Sequence, residues 1–592
     1  MKNRIQIILF IFTIVWIILL SRLYYLSIKS NKYYQELADR NMINIEYLTP
    51  SRGEILDING SVIAMSNLGF SISLDAHLKK DELLEKLSFI SEQFSWLNKT
   101  KLLKEYEKKD SSYNHKPIKI VNYITYGDMI EKFAIFSMQK SIKVEPVSKR
   151  FYPYGEVASH VIGYVSKANQ KEIDANLVAK ILGVVGKSGI EKYYDVFLGG
   201  EMGKKEVKVN AQNRELEVLS EKKPLSKNIQ LTIDMRIQTY INELFTDKTG
   251  AVIVMNVNDG SILAAGSFPE YDINKFIQGI SKDEWEEMIR DLDHPFTNKF
   301  IAGLYPPGSA TKIAISLSFL NSKLIDENEN FLCTGELRLG GRKFRCWNSY
   351  GHGMVDLKRA ISESCDDYFY KAGLRVGIDK LSTDLDRYGF GKKTGVDLPN
   401  EFIGTLPSRN WKLNKFAETW YKGDTLNTVI GQGNFLSTPM QIALFTAMIS
   451  TGKKVTPHFV KKIADQSIKY DSNTIFTPLE LDKLKLIQEG MYNVCNSPKG
   501  TATKYNTSII TIAGKTGTSQ VIGIPQEEKI RMSESDLEYY QRSHAWFTAY
   551  GPYKNPKYVV TVLVEHGGYG GAGAGEKVSK IFNKLVDLGY IK

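Results

Sequence analysis

At 592 residues the chain is too long for a single hydrophobic core, and two to four domains are expected. Hydrophobic residues make up 43% and charged residues 24%, a balance that excludes a disordered chain. The net charge of +11 suits nucleic acid, a membrane surface or an anionic polymer; with no zinc-finger spacing, no basic–aromatic RNA signature and no Walker loop, nucleic acid is set aside.

The chain opens on an anchor. Residues 5–27 read IQIILFIFTIVWIILLSRLYYLS, about the length that crosses a bilayer as a helix. Lys2 and Arg4 precede it, which places residues 1–4 as a cytoplasmic tail. No small-residue cleavage site follows, so the segment reads as an uncleaved anchor, and the remainder lies beyond the cytoplasmic membrane. No later stretch is long and apolar enough to span.

Residues 28–225 read as an N-terminal, β-rich domain. Residues 41–66, from Asn41, alternate in strand fashion around turns at Pro50-Ser51-Arg52-Gly53 and Asn59-Gly60, the second a strong hairpin signal. Residues 79–108 carry Leu83, Leu84, Leu87 and Ile90 at helical spacing, as one amphipathic helix of an inserted subdomain. Two glycine-punctuated segments follow, RFYPYGEVASHVIGYV (150–165) and GKSGIEKYYDVFLGGEMG (186–203). Arg52 and Arg150 are candidates for ion pairs within this domain, or plain surface charges.

The polar stretch EKKPLSK (221–227) marks the main boundary, and residues 226–592 form the second domain. It opens with two strands around Asp259-Gly260 (251–267) and closes with two more (544–568) and an amphipathic helix (576–588). Strands at both ends with a helical middle predict one antiparallel sheet flanked by helices, and an α+β fold. There are no internal repeats.

Within this domain Ser309-x-x-Lys312 follows the turn Pro306-Pro307-Gly308. Alone, the pair is a weak signal that usually marks a helix cap with a surface charge rather than a nucleophile with its base. Ser364-Cys365-Asp366 at a helix start and Lys515-Thr516-Gly517-Thr518 at a strand end complete the ordered triple of penicillin-recognising serine acyltransferases. A serine hydroxyl needs a base within hydrogen-bond reach, and helical spacing puts Lys312 on the face of Ser309. Burial and the nearby Lys515 cation would favour a neutral amine. Gly517 is expected to admit a substrate backbone to the strand edge, and the amides of Ser309 and Thr518 to bind an oxyanion.

The chain resembles the class B penicillin-binding proteins of the elongation type. The resemblance rests on PSRGEILDINGSVIA (50–64), the two glycine-punctuated segments, WNSYGHG (347–353), SCDDYFY (364–370), WYKGDTLNTVIGQGNFLSTPMQIA (420–443) and HAWFTAYGP from His544, and covers nearly everything after residue 40. It implies a membrane-anchored, elongated pedestal carrying a transpeptidase domain with a helical subdomain. It also implies a peptidoglycan D,D-transpeptidase that cross-links stem peptides during elongation and rod-shape maintenance, with some carboxypeptidase side activity. Ser309 would form the acyl-enzyme and Lys312 would serve as base; Ser364 and Lys515 would relay protons; Thr516 and Thr518 would hold the substrate carboxylate with Lys515. β-Lactams would acylate the same serine. Asp366 stands where Asn is more common and, ionised, only accepts hydrogen bonds. The implied partners are a polytopic glycosyltransferase and a membrane-anchored rod-shape protein. Two other readings stand beside this one: a β-lactam sensor or β-lactamase-like protein, and a non-catalytic scaffold that activates a glycosyltransferase.

Catalysis calls for no cofactor. Cys333, Cys346, His352 and Cys365, spaced C-x12-C-x5-H-x12-C, are candidates for a structural zinc, with one disulfide and a free thiol as the competing reading. Some elongation-type relatives carry a zinc near this loop with carboxylate, His and Cys ligands, and the resemblance implies that Cys333 and Cys346 stand where those have acids. Cys495 reads as a buried free thiol. The histidines His77, His115, His160, His294, His458, His544 and His566 read as structural or surface residues, and residues 567–575 as a loop bordering the cleft or a connector.

Overall fold

The computed structural model describes residues 2–29, 32–33, 42–114, 116–209, 215–523 and 533–592. Met1, Asn41 and His115 lie outside them. The chain divides into two compact units. One comprises residues 1–52, 169–183 and 199–226; the other, residues 53–168, 184–198 and 227–592.

In the first unit a helix over Lys2–Tyr24 continues as a wider turn over Tyr25–Lys29. Its apolar residues are exposed, and among the described residues it is the one helix long and apolar enough to cross a membrane. The unit also holds a three-stranded antiparallel sheet, in which Gly203–Val209 pairs with Ile43–Leu48 on one side and Glu215–Lys222 on the other.

In the second unit the hairpin expected at Asn59-Gly60 is present. Asp57 Oδ1 accepts from the N–H groups of Asn59 (2.8 Å) and Ser61 (2.7 Å), and Gly60 takes φ +89°, which glycine adopts without a Cβ penalty. The strand that comes next, Val62–Leu74, pairs with Ile118–Thr125 and Ile142–Phe151. Residues 79–108 form two helices, Lys80–Gln93 and Lys99–Lys109, rather than the single helix expected. The break falls where Phe94 turns extended and Asn98 caps the second helix, its side chain accepting from Thr100 and Lys101 N–H. Leu83, Leu87 and Ile90 pack with Leu102, Ile72, Leu74 and Ile118 into a core of their own.

Arg150 is committed to an ion pair. Its Nε donates to Glu191 Oε1 at 2.6 Å and its Nη1 to Gly53 O at 2.7 Å, while Tyr152 OH donates to the same Glu191 oxygen at 3.2 Å. The Arg150 and Glu191 side chains are 2% and 0% exposed. The two glycine-punctuated segments thus meet at a buried charge pair.

The catalytic part is built on five antiparallel strands: β1 (Gly250–Asn256), β2 (Ile262–Phe268), β3 (Ala513–Ser519), β4 (His544–Gly551) and β5 (Tyr558–Val564), in the order β2-β1-β5-β4-β3. β5 (YVVTVLV) is buried throughout because both faces are covered. The covering helices are α1 (Met235–Leu244), α5 (Pro439–Thr451) and α7 (Glu576–Asp587), with α6 (Pro478–Asn496) packed on α5. α5 starts at a capping box of Thr438 and Gln441 with Pro439 in its first turn, and ends at Gly452 in the left-handed region. Its residues are apolar on every side, as a helix buried on every side requires. Its polar contact with the sheet is satisfied: Thr548 donates to Thr446 at 2.8 Å. β3 is the outer strand, with a free edge.

Removing one partner of the buried pair leaves an uncompensated charge, at a cost of about 3–5 kcal/mol. Glu191→Ala should therefore lower the urea midpoint of the full-length protein sharply, while Arg150→Met with Glu191→Leu should lose far less. Equal losses in the two proteins would refute the pairing account.

Candidate active site

Three segments distant in sequence converge on the free edge of β3. The first is the turn Gly308–Thr311, a 3-10 turn that runs into α2 (Lys312–Ser322). Thr311, at the cap of α2, makes no side-chain capping bond, and Ser309 sits half-buried within the turn. α2 (KIAISLSFLNS) is buried from Lys312 to Leu320, and Lys312 itself is 0% exposed.

The second segment joins α3 (Leu357–Ser362) to α4 (Asp366–Val376). Between them Ser364 is held at φ +53°, a left-handed conformation that costs a non-glycine residue about 1–3 kcal/mol. The third segment is β3 itself, in register with β4 as Lys515↔Thr548, Thr516↔Phe547, Gly517↔Trp546 and Thr518↔Ala545.

The contacts are tight. Lys312 Nζ donates to Asp366 Oδ1 at 2.7 Å and to Ser364 O at 3.0 Å, and lies 3.4 Å from Ser364 Oγ. Lys515 Nζ donates to Ser364 Oγ at 3.0 Å and to Thr516 O at 3.0 Å. Ser364 Oγ therefore lies between two amines. The Lys515 amine is pushed well below the usual lysine range, first by burial and then by the Lys312 cation, with Asp366 opposing. The second carboxylate oxygen of Asp366 accepts from Trp347 N–H at 3.0 Å. Both Asp366 oxygens thus face the protein's own groups.

Gly517 makes room for a part of the protein itself. A Cβ there would lie 3.0 Å from Pro307 O and 3.1 Å from Ala310 N, so what the missing side chain admits is the turn bearing Ser309. Gly308, at φ +54°, makes the reciprocal approach: a Cβ there would meet Thr518 O at 2.7 Å. Thr518 O accepts from Gln432 Nε2 at 3.1 Å, so this carbonyl points off the free edge. The N–H of the same residue shares that side of the strand and is available to an oxyanion.

Cys333, Cys346, His352 and Cys365 come together with their ligand atoms all within 4.8 Å of one another. Cys333 Sγ and Cys346 Sγ each lie 3.5 Å from His352 Nδ1. A tetrahedral zinc, with Zn–S about 2.3 Å and Zn–N about 2.0 Å, sets ligand atoms roughly 3.5–3.8 Å apart, so the donor set fits. All four cysteines are free thiols. Cys495 stands apart from this cluster, its thiol pushed up to about 12 by burial. His160, buried, and His544, half-buried, are kept neutral, chiefly by desolvation, at about 3 and about 4.

Three contacts had no signal in the motif spacing. Besides Gln432, Thr501 Oγ1 lies 2.7 Å from Thr516 Oγ1, and Gly570 N–H donates to Thr518 Oγ1 at 3.1 Å. Each comes from a segment outside the three motifs, so motif spacing does not reveal it.

The family model for the penicillin-binding protein transpeptidase domain matches residues 250–587, and that for the penicillin-binding protein dimerisation domain matches residues 47–231. The chain is 34% identical over 588 residues to the peptidoglycan D,D-transpeptidase MrdA of Haemophilus influenzae, covering 96% of this chain and 89% of that one. It is 32% identical over 586 residues to MrdA of Escherichia coli K12, covering 96% and 91%. Among solved structures, penicillin-binding protein 2 in its complex with MreC from Helicobacter pylori superposes with a TM-score of 0.86 at 43% identity, over 93% of this chain and all of that one. With both domains matched in order and the three motifs drawn together around Ser364, the chain belongs to the penicillin-binding protein 2 (MrdA) family of penicillin-binding transpeptidases.

Proposed function

We propose that the chain is a peptidoglycan D,D-transpeptidase working through an acyl-enzyme on Ser309. The observation that carries this reading is the convergence of Lys312 and Lys515 on Ser364 Oγ, beside a nucleophile turn packed into the glycine gap of an edge strand. Ser309 attacks the carbonyl of the penultimate D-Ala of a stem pentapeptide. Lys312, freed of its own proton, takes up the proton of Ser309. The N–H groups of Ser309 and Thr518 bind the oxyanion. Ser364 Oγ, in contact with both amines, passes the proton to the departing D-Ala nitrogen. An amine of a second stem peptide then attacks the ester carbonyl and gives its proton to Lys312, which returns it to the departing Ser309 Oγ, freeing the serine and completing the cross-link. Lys515, Thr516 and Thr518 hold the terminal carboxylate of the donor, and Asp366 accepts from Lys312 and aims its amine.

The residues after the N-terminal helix are placed outside the cytoplasmic membrane, since Lys2 and Arg4 precede the apolar run. The bounds that go with this reading are a tail at 1–4, an anchor at 5–27, a pedestal at 28–225 and a transpeptidase domain at 226–592. The Helicobacter pylori relative forms a complex with MreC. By that likeness this chain works in an elongation complex that maintains rod shape, with a membrane-anchored partner of that type and a glycan-polymerising membrane protein.

Cys333, Cys346, His352 and Cys365 would hold a structural zinc. Four protein ligands leave no open position, so the metal's chemistry there is to fix the fold. It would tie Cys365, between Ser364 and Asp366, to Cys346, whose neighbour Trp347 donates to Asp366.

Incubating the full-length protein in detergent with a fluorescent penicillin should give a stable one-to-one adduct, read by intact mass, and none with Ser309→Ala. Rapid loss of label would indicate a β-lactamase, and no adduct on folded native protein a scaffold. Gly517→Ala shifts the turn by a few tenths of an ångström and should slow acylation about tenfold with little change in melting temperature; an unchanged rate would remove Gly517 from the account. Elemental analysis should find one zinc per chain, lost in Cys333→Ser or Cys365→Ser. Absence of metal, with two fewer thiols titrating after denaturation, would establish the disulfide instead.

A further inference from the structure

The proposed carboxylate subsite uses two hydroxyls of β3, those of Thr516 and Thr518, and the role inferred for Thr501 depends on that subsite. A carboxylate only accepts hydrogen bonds, and a threonine hydroxyl has one proton to give. A hydroxyl that spends its proton inside the protein is lost to the substrate.

Thr518 is settled by a backbone amide. Gly570 N–H donates to Thr518 Oγ1 at 3.1 Å, so the hydroxyl is an acceptor there and its own proton is directed elsewhere. Gly570 gets this close because it lacks a side chain: a Cβ would lie 2.2 Å from Gly517 O and 2.6 Å from Trp546 O. The glycine-rich loop is therefore seated on the strand end rather than merely linking β5 to α7.

Thr516 has a matching contact, 2.7 Å from its Oγ1 to Thr501 Oγ1, in which either oxygen is able to donate. If Thr516 were the donor, its proton would be consumed. If Thr501 donates, both β3 hydroxyls are held from behind and both keep a proton for the substrate. Among the described residues Thr501 Oγ1 has no other hydrogen-bond partner to take its proton. Thr501 is also fixed to the second motif, its N–H donating to Ser362 O at 3.3 Å. We propose that Thr501 is a positioning residue of the transpeptidation site, donating its hydroxyl proton to Thr516 Oγ1 so that the Thr516 proton is presented to the terminal carboxylate of the donor peptide.

The test compares benzylpenicillin, which carries a free carboxylate, with its methyl ester, using second-order acylation rates of the full-length protein in detergent. Thr501→Val keeps the shape and removes the proton. It should slow acylation by the acid about tenfold and change the ester rate by less than about twofold, so the acid-to-ester ratio collapses. Thr501→Ser should restore the ratio to within about twofold of the native protein. Thr501→Ala gives the same readout should the valine protein not fold. Acid and ester rates falling together would show a structural role and overturn the proposal, as would an unchanged acid rate. Failure of the underlying subsite shows separately: Thr518→Val would then leave the acid-to-ester ratio of the native protein intact.

Discussion

Two amines, Lys312 and Lys515, are completely buried within reach of a single hydroxyl, Ser364 Oγ. Burying one ammonium is costly unless it is paired, and burying a second beside it adds like-charge repulsion. One carboxylate, Asp366, pairs with Lys312, while burial and Lys312 push the Lys515 amine well below the usual lysine range. The amines spend their protons on the protein around them: Lys312 on Asp366 and Ser364 O, Lys515 on Ser364 Oγ and Thr516 O. An arrangement this demanding forms only where three separate segments are held without slack. The surrounding fold is best understood as what supplies that rigidity.

Each segment is rigid for its own reason. Lys312 sits on a helix with no solvent face, so it cannot swing outward. Ser364 is held in a left-handed conformation between two helices, a strain that the packing of α3 against α6 has to offset. Lys515 is on a strand whose one paired edge is zipped to β4 over seven residues. The gap between strand and nucleophile turn closes because glycine stands on both sides, at 308 and 517. The acid at position 366 also falls into place. Its two oxygens face Lys312 and Trp347 N–H, so both are taken up by the protein's own groups rather than left open to a substrate.

The sequence carries the chemistry further than the packing. The ordered triple of motifs, not the spacing of any one of them, singles out Ser309, Lys312, Ser364, Asp366 and Lys515. The hairpin at Asn59-Gly60 is legible for a similarly local reason: φ +89° is open to glycine. Residues 79–108 read as one helix in sequence because their apolar period continues through a break set by the Asn98 cap. Arg150 is legible as half of an ion pair, but Glu191, 41 residues away, is not. Gln432 and Thr501 are invisible because a contact between separate loops leaves no local period, whereas the loop of Gly570 is legible as a loop bordering the cleft or a connector. Gly517 is legible as a close approach, yet only the fold shows that the approaching backbone belongs to the protein itself.

The cysteine cluster bears on the same constraint from the other side. The segment that carries Ser364 and Asp366 is gripped twice by the loop before it: at Cys365, one of the four clustered ligands, and at Asp366, through the N–H of Trp347 next to Cys346. A third hold comes from Trp347 Nε1, which donates to Glu363 O at 2.9 Å. These contacts flank the strained residue closely enough that the loop and the left-handed Ser364 stand or fall together. A metal at the cluster would therefore act on catalysis without touching substrate, by keeping Ser364 Oγ between the two amines. This also gives a physical reason for three thiols and an imidazole at this place. A closed, four-ligand site adds order and no chemistry of its own, and order is what two buried amines sharing one hydroxyl require.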